Sequence, residues 1–468
     1  MFDPATRKWW TLGAVAVGLF MIMLDNTVVN VALPTIRREL GADLSELEWI
    51  VTGYALTFAA LMLIGGKLAD AYGRRLLFVI GIVVFTGSSL ACGLAGTSGT
   101  LITWRIVQGV GAALMNPATL SIIAAAFPPK ERGTAIGIWV GVSALALAIG
   151  PLVGGLITEH LSWSWIFFVN VPVGILGIAA SFLLIDESRD QTHERLDIPG
   201  LLSSAIGLFA LTYGLIEANT YGWTSARILG AFAVAVVSLL VFVALERRQR
   251  APMLDLTLFR SGTYAGANLA MLLVALAMFG VFFFVSLYMQ NVLGYSAVEA
   301  GAAFLPMTGL IIFVAPIAGK ASDRFGSRWL MTVGMLLLAT QLVYFSQLGQ
   351  NETFWHLLPG MLLGGFGMPL VMTPTAAAAT RAVPVDKAGV GSAVLNACRQ
   401  VGGAVGIALL GAIVAGQSAG RQTAAAFLDG FEPALLVAAS ILIVGAVVAA
   451  SLVRSHVERP GEIAAELG

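Results

Sequence analysis

Asp25, inside residues 11–34, and Arg105, near the start of residues 101–126, are ionisable side chains set within long apolar stretches of this chain. Asp25 is the only carboxylate placed well inside such a stretch. Burial favours the neutral acid, whereas a nearby cation favours the carboxylate. A site whose exposure and neighbours alternate can therefore take up and release a proton. A charge in hydrocarbon costs about 2.5–3.5 kcal/mol even on lenient insertion scales, so such residues are seldom idle. Arg105 could pair with Asp25 or hold it ionised when substrate is absent. The structural alternatives are an Asp25 tied to the 101–126 stretch or to backbone amides, and an Arg105 tied to backbone carbonyls. No histidine can replace Asp25, because His160, His193, His356 and His456 fall in loops, ends or tails. A further cation, Arg399, sits with Gln400 and Asn396 in residues 388–414. It could attract an anionic group of a substrate or lock two halves of the molecule together, and both readings stay open.

The elements that hold these residues are read from hydropathy. Fourteen apolar segments are each long enough to cross a hydrocarbon core of about 30 Å as a helix of roughly 20 residues. They lie near 11–34, 49–69, 77–95, 101–126, 134–157, 165–185, 198–217, 227–245, 264–290, 298–318, 329–348, 355–377, 388–414 and 434–453. With the amino terminus in the cytoplasm, 20 of the 26 lysines and arginines fall on the inner side. Only Arg37, Arg38, Arg227 and Arg421 fall outside, and Arg105 and Arg399 lie within spans. Such a bias marks the cytoplasmic loops, and a missed or invented helix would scramble it. The expectation is an all-α polytopic membrane protein with fourteen transmembrane helices and both termini cytoplasmic. Asp25, roughly 22 Å of helix beyond Trp10, would then lie in the outer half of the membrane.

Composition agrees. The chain is 58% hydrophobic and 11% charged, against about 25% charged in an ordinary soluble domain. A net charge of zero argues against a nucleic-acid partner. Cys92 and Cys398 both lie within apolar segments and read as small packing residues, not as a disulfide or a metal site. The first apolar stretch is full length and ends at Pro34 without a small-residue cleavage site, so no processing is expected.

The chain repeats itself. Gly66, Lys67, Asp70, Gly73 and Arg75 recur 253 residues later as Gly319, Lys320, Asp323, Gly326 and Arg328. An offset of 256 pairs Gly109 with Gly365, Gly111 with Gly367, Pro128 with Pro384 and Gly133 with Gly389. This implies two pseudo-symmetric six-helix bundles, 1–190 and 251–468, with two helices inserted at 191–250 as a peripheral packing element. Duplicated six-helix units are the trace of transporters that rock two halves about a mid-membrane site. In the first repeated loop Asp70 can pair with Arg74 or Arg75, or cap a helix, and Glu131 is a second candidate acid. Asp323 and Arg324 occupy the second loop. Breaking such pairs would bias the conformational cycle. In the fifth span Gly133, Gly137 and Gly141 recur every four residues, Gly150-Pro151 marks a kink, and Gly154-Gly155 continues a surface that lets helices approach closely.

These residues resemble the major facilitator superfamily, and within it the fourteen-span drug:proton antiporters, over nearly the whole chain. The most specific element is Leu24-Asp25-Asn26-Thr27-Val28-Val29-Asn30-Val31-Ala32-Leu33-Pro34. It is joined by Arg105-Ile106-Val107-Gln108-Gly109-Val110-Gly111 and by Gly150-Pro151-Leu152-Val153-Gly154-Gly155, the segment associated with antiport. Trp163 to Pro172 and Asn396-Ala397-Cys398-Arg399-Gln400 also fit. The resemblance implies proton transfer involving Arg105, no cofactor, and a bacterial cytoplasmic membrane. Two positions depart from it: Ala71 stands where the family has a basic residue, and Ser164 where an arginine is common.

Asn26, Asn30, Tyr54, Gln108, Asn116, Gln290, Asn396 and Arg399 are the polar handles expected along an otherwise apolar substrate cavity. Such walls suit amphipathic organic compounds. The expected partners are small lipophilic substrates, protons and the lipid bilayer, with the monomer as functional unit. Export of one dedicated metabolite by the same fold is the alternative. An enzyme would need a nucleotide loop, a metal spacing or a nucleophile–base pair, and the sequence offers none. A channel would need a continuous polar helix face, and none is evident.

Overall fold

A computed structural model describes residues 4–189, 197–249, 254, 256–383, 388–418 and 423–454. Arg421, His193, His456, Pro384 and the boundaries expected at 190–191 and 250–251 lie outside these residues. So do the surroundings of Gly133, Gly137 and Gly389. Among the described residues the fold is helical, with no strand.

The helices are α1 (Pro4–Leu40), α2 (Leu44–Tyr72), α3 (Arg74–Gly93), α4 (Ser98–Ala126), α5 (Pro129–His160), α6 (Trp165–Phe168), α7 (Asn170–Leu184), α8 (Ile198–Tyr221) and α9 (Ala226–Arg248). They continue as α10 (Gly262–Asn291), α11 (Ala297–Ala303), α12 (Leu305–Phe325), α13 (Ser327–Phe345), α14 (Phe354–Arg381), α15 (Ala388–Ser418) and α16 (Ala424–Leu452). Among the described residues twelve spans are long and apolar enough to cross a membrane, α6 with α7 and α11 with α12 each counting as one. There are thirteen if α2, bent by 50° between Met62 and Ile64, is also one. The remaining long helix, α5, runs for 32 residues.

Local sequence sets several boundaries. Asp43 and Glu46 form a reciprocal capping box at the start of α2, which satisfies two backbone donors that a helix start leaves open. Thr97 and Thr100 do the same for α4. Gly73 and Gly326, paired by the 253-residue offset, have φ of +130° and +81°. Both turns need a backbone that side-chain-bearing residues seldom adopt.

The chain divides into two compact units. The first holds residues 1–201 and Ser296–Gly301; the second holds Leu202–Tyr295 and the rest. In the first, α2 packs on α4, α3 on α4, α1 on α5, α3 on α7, and α1 on both α7 and α4. In the second, α12 packs on α14, α13 on α14, α10 on α15, α13 on α16, and α10 on both α16 and α14. The two lists are the same under the repeat.

The equivalence extends to single residues. A Cβ on Gly109 would lie 2.6 Å from the Tyr54 carbonyl oxygen, and one on Gly365 would lie 2.9 Å from that of Met307. Gly81 meets the Gly111 carbonyl oxygen as Gly334 meets that of Gly367, each at 2.9 Å from the added Cβ. α9 leaves most of its apolar side chains exposed, among them Val236, Val237 and Leu240. Asn219 of α8 donates to the Ala412 carbonyl of α15 at 2.7 Å.

Candidate functional site

Arg105 and Gln108 are three residues apart on α4 and share a face, as do Ile50 and Tyr54 on α2. The close approach of α2 and α4 at Gly109 brings these faces together opposite Asp25 of α1. There the Arg105 Nη1 donates to Asp25 Oδ2 at 2.5 Å and to Gln108 Oε1 at 2.7 Å. Gln108 Nε2 closes the ring by donating to Asp25 Oδ1 at 3.0 Å. Arg105 Nε donates to the Ile50 carbonyl at 3.0 Å, and the guanidinium carbon stands 4.2 Å from the Tyr54 ring centroid. Asp25, Arg105, Gln108 and Tyr54 are all at most 1% exposed. The pair is therefore fully desolvated, charge-assisted and held on both sides, so any change in its hydration or partners acts on an interaction that water does not screen.

The two alternatives weighed for Arg105 turn out to coexist, since it serves the carboxylate and a backbone carbonyl at once. Tyr54 and Gln108, expected along a substrate cavity, are packed into this cluster. Asn26 points back along α1, donating to the Ile22 carbonyl at 2.9 Å, and Asn30 donates to the Asn26 carbonyl at 3.5 Å. Asn116 lies two turns farther along α4, where its carbonyl accepts the Thr119 hydroxyl at 2.6 Å. In the second unit Gln290 Nε2 donates to Ser286 Oγ at 3.4 Å. There Asn396 and Arg399 are half-buried on α15. The Arg399 Nε is buried without a hydrogen-bond partner among the described residues.

α5 closes on α1 directly behind the cluster. A Cβ on Gly150 would lie 1.8 Å from Thr27 Oγ1, and one on Gly154 would lie 2.7 Å from the Val28 carbonyl oxygen. Pro151 is buried between them, as is Gly155, whose added Cβ would lie 2.3 Å from the Ala297 carbonyl oxygen. Gly141, by contrast, has nothing within 4 Å and does not share this seam.

The repeated loops make ion pairs. Asp70 accepts Arg74 Nε at 2.9 Å. Arg75 turns instead to Glu187, whose carboxylate accepts the Arg75 and Leu76 backbone N–H groups at 3.1 and 3.2 Å and so caps α3. Glu131 pairs with Lys8 at 2.6 Å. In the second loop Asp323 pairs with Arg381, while the Arg324 guanidinium lies 5.2 Å from the Phe325 ring centroid. Gly66 and Gly319 again match, facing Pro117 of α4 and Thr373 of α14. Glu187, Lys8 and Arg381 were missed by sequence reasoning because each belongs to another segment and carries no spacing signal.

A family model described as the Major Facilitator Superfamily matches residues 15–407 and, in a second match, residues 269–467. The chain belongs to the major facilitator superfamily. The second match begins in α10 and covers the second copy of the repeat. The tetracenomycin C resistance and export protein of Streptomyces glaucescens is 38% identical over 410 residues, 87% of this chain and 76% of that protein. The multidrug resistance protein Stp of Mycobacterium tuberculosis is 38% identical over 408 residues, 86% and 75% of the two chains. Among solved structures, a bacterial homolog of the human lysosomal transporter Spinster superposes with a TM-score of 0.68. That alignment covers 96% of this chain and 97% of the other at 17% identity, and it shows the fold. As a superfamily member with this fold, the protein is a bacterial membrane transporter and not an enzyme.

Proposed function

We propose that this transporter exports amphipathic organic compounds across the cytoplasmic membrane in exchange for protons, with Asp25 as the coupling carboxylate. The observation that carries the reading is the sealed Asp25–Arg105–Gln108 cluster. An ion pair this buried is costly to maintain, and it is a carboxylate whose protonation would release Arg105 to its remaining acceptors at Ile50 and Gln108. The proton thereby becomes a switch on the α1–α2–α4 contact. The resistance and export relatives support the substrate class. Each inward proton supplies about 2.3 kcal/mol per 100 mV of membrane potential, enough to drive outward movement when coupled by alternating access.

The remaining parts follow from this reading. Residues 1–190 and 251–468 act as the two six-helix bundles and 191–250 as an inserted pair, giving fourteen spans with both termini cytoplasmic. Asn26, Asn30, Asn116, Gln290, Asn396 and Arg399 offer polar contacts to substrate. Asp70, Arg74, Arg75, Glu131, Asp323 and Arg324 bias the conformational equilibrium, and the monomer is the working unit. Dedicated export of one metabolite is the second reading, supported by a relative named for a single antibiotic, tetracenomycin C. The test is efflux of a panel of lipophilic compounds from cells expressing the protein. Efflux of several unrelated compounds that collapses with an uncoupler supports the first reading. Efflux of one compound alone supports the second, and efflux that survives the uncoupler while ATP is the sole energy source refutes both.

A further inference from the structure

The chain breaks between α6 and α7 at Val169, within the Trp163–Pro172 stretch, and the break lies against the charged cluster. Phe167 of α6 is fully buried, and its ring centroid stands 5.8 Å from the Arg105 guanidinium carbon. This is within the reach of about 6 Å at which an aromatic face attracts a cation, an attraction that strengthens away from water. Ser89 Oγ of α3 donates to the Phe167 carbonyl at 2.9 Å, and Asn170 Nδ2 of α7 donates to Ser89 Oγ at 3.0 Å. Ser89 and Asn170 are both buried. Buried polar side chains are unfavourable unless hydrogen-bonded, and here the bonds go to the turn that carries Phe167. Three residues along the same face of α3, Cys92 Sγ donates to Gln108 Oε1 at 3.9 Å, the atom that also accepts from Arg105. Gly93 lets α6 seat on α3, since a Cβ there would lie 2.3 Å from Phe168 Cε1.

The holds on the two charges are unequal. Among the described residues, the Asp25 carboxylate accepts from Arg105 and Gln108, both of α4. Arg105 has in addition the Ile50 carbonyl, Gln108 Oε1 and the rings of Tyr54 and Phe167. None of these belongs to α1. Neutralising Asp25 therefore weakens one of several holds on Arg105, but it removes the charge-assisted hold on α1. What remains beside α1 is its close seam with α5 at Gly150 and Gly154.

We propose that Phe167, set in place by Ser89 and Asn170, is a positioning residue that keeps Arg105 seated when Asp25 is neutralised, so that α1 is released and the arginine is not. The cation is the fixed half of the switch, and α1 with α5 is the moving half. The use of this switch in a transport cycle rests on the reading of Asp25 as coupling carboxylate; the seating of Arg105 does not.

The test is thermal melting of the purified full-length protein in one detergent, with Phe167→Leu placed in the wild type, in Arg105→Gln and in Asp25→Asn, the last standing for the neutral acid. A ring that only fills space gives the same drop in melting temperature in every background, because sites that do not interact add. A ring that holds the cation should give a drop about halved in Arg105→Gln and undiminished in Asp25→Asn. Phe167→Tyr, which keeps the ring face, should show little of the drop, and Asn170→Ala should shrink the dependence on Arg105. Equal drops in the wild type and Arg105→Gln, or a dependence untouched by Asn170→Ala, would overturn the positioning role. A drop in Asp25→Asn as small as that in Arg105→Gln would mean that the arginine leaves with the charge, and would overturn the proposal too. Should Phe167→Leu fail to fold, a ring-fluorinated phenylalanine at position 167, close in shape but with a depleted ring face, takes its place in the same cycle. Melting needs neither gradient nor substrate, so its outcome is separate from whether the protein proves to exchange protons.

Discussion

Arg105 donates to Asp25 at 2.5 Å in a place where neither side chain reaches solvent. Gln108 bridges the same two groups, so the cluster holds a charge pair whose members cannot be satisfied separately. Removing one partner of such a pair costs about 3–5 kcal/mol, because the other is left buried and uncompensated, whereas removing both costs far less. Asp25→Asn and Arg105→Gln should each lower the melting temperature in detergent, and the double variant should melt above either single one. A double variant that melts at the sum of the two losses would show that the groups do not interact.

The α1–α5 seam predicts a contrast between two glycines. The obstacle to a Cβ at Gly150 is chiefly the Thr27 side chain, and at Gly154 it is the Val28 backbone and side chain. Overpacking of this kind costs about 1–3 kcal/mol. Gly150→Ala should destabilise and be partly restored by Thr27→Ala, while Gly154→Ala should not respond to Thr27→Ala. Thermal melting of the four variants in one detergent checks this, and equal rescue of both glycine variants would contradict it.

Glu187 caps α3 from a distant segment and also faces Gly73. Loss of a cap costs about 0.5–2 kcal/mol. Glu187→Gln, which keeps shape but loses charge, should cost less than Glu187→Ala, and both should raise hydrogen exchange at the Arg75 and Leu76 amides. Unchanged exchange there would remove Glu187 from the capping role.

Glu159, at the carboxy-terminal end of α5, accepts the Val298 N–H at 3.0 Å. This bond, and then one from the Ser296 side chain, holds its carboxyl below the usual carboxylate range. A lowered folded-state pKa gives stabilisation that is present above the unfolded value and fades as pH falls through the folded one. The difference in melting temperature between wild type and Glu159→Gln should thus be constant near neutrality and vanish only below about pH 4, the ordinary range for glutamate. The exposed position keeps the effect small. A difference that grows on acidification would have the wrong sign.

On the proposed reading, the single carboxylate of the Asp25–Arg105–Gln108 cluster limits the charge that can be exchanged for protons. Lipophilic monocations and neutral compounds should be exported well and matched dications poorly, as compared by efflux of analogues that differ only in charge. Strong export of dications that depends on no acid other than Asp25 would count against this.

Much of the architecture was legible because bilayer and repeat each leave a redundant mark. Apolar length, the sidedness of lysine and arginine, and the glycines matched at two offsets constrain the same helices independently. Asp25 and Arg105 stood out because a charge in an apolar run is costly. Gln108 and Tyr54 were visible only as polar handles; that they close around Arg105 depends on the helix approach at Gly109, which spacing alone does not give. Glu187 and Lys8 were hidden because loop partners are chosen by tertiary placement.

The central claim is that Asp25 carries the exchanged proton. The most direct measurement places the purified protein in proteoliposomes acidified inside, with a pH-sensitive dye, and adds lipophilic compounds to the wild type and to Asp25→Asn. Substrate-triggered proton release from the wild type, absent in Asp25→Asn although the variant still binds the compound, is the predicted result. Equal proton release from both proteins would contradict it.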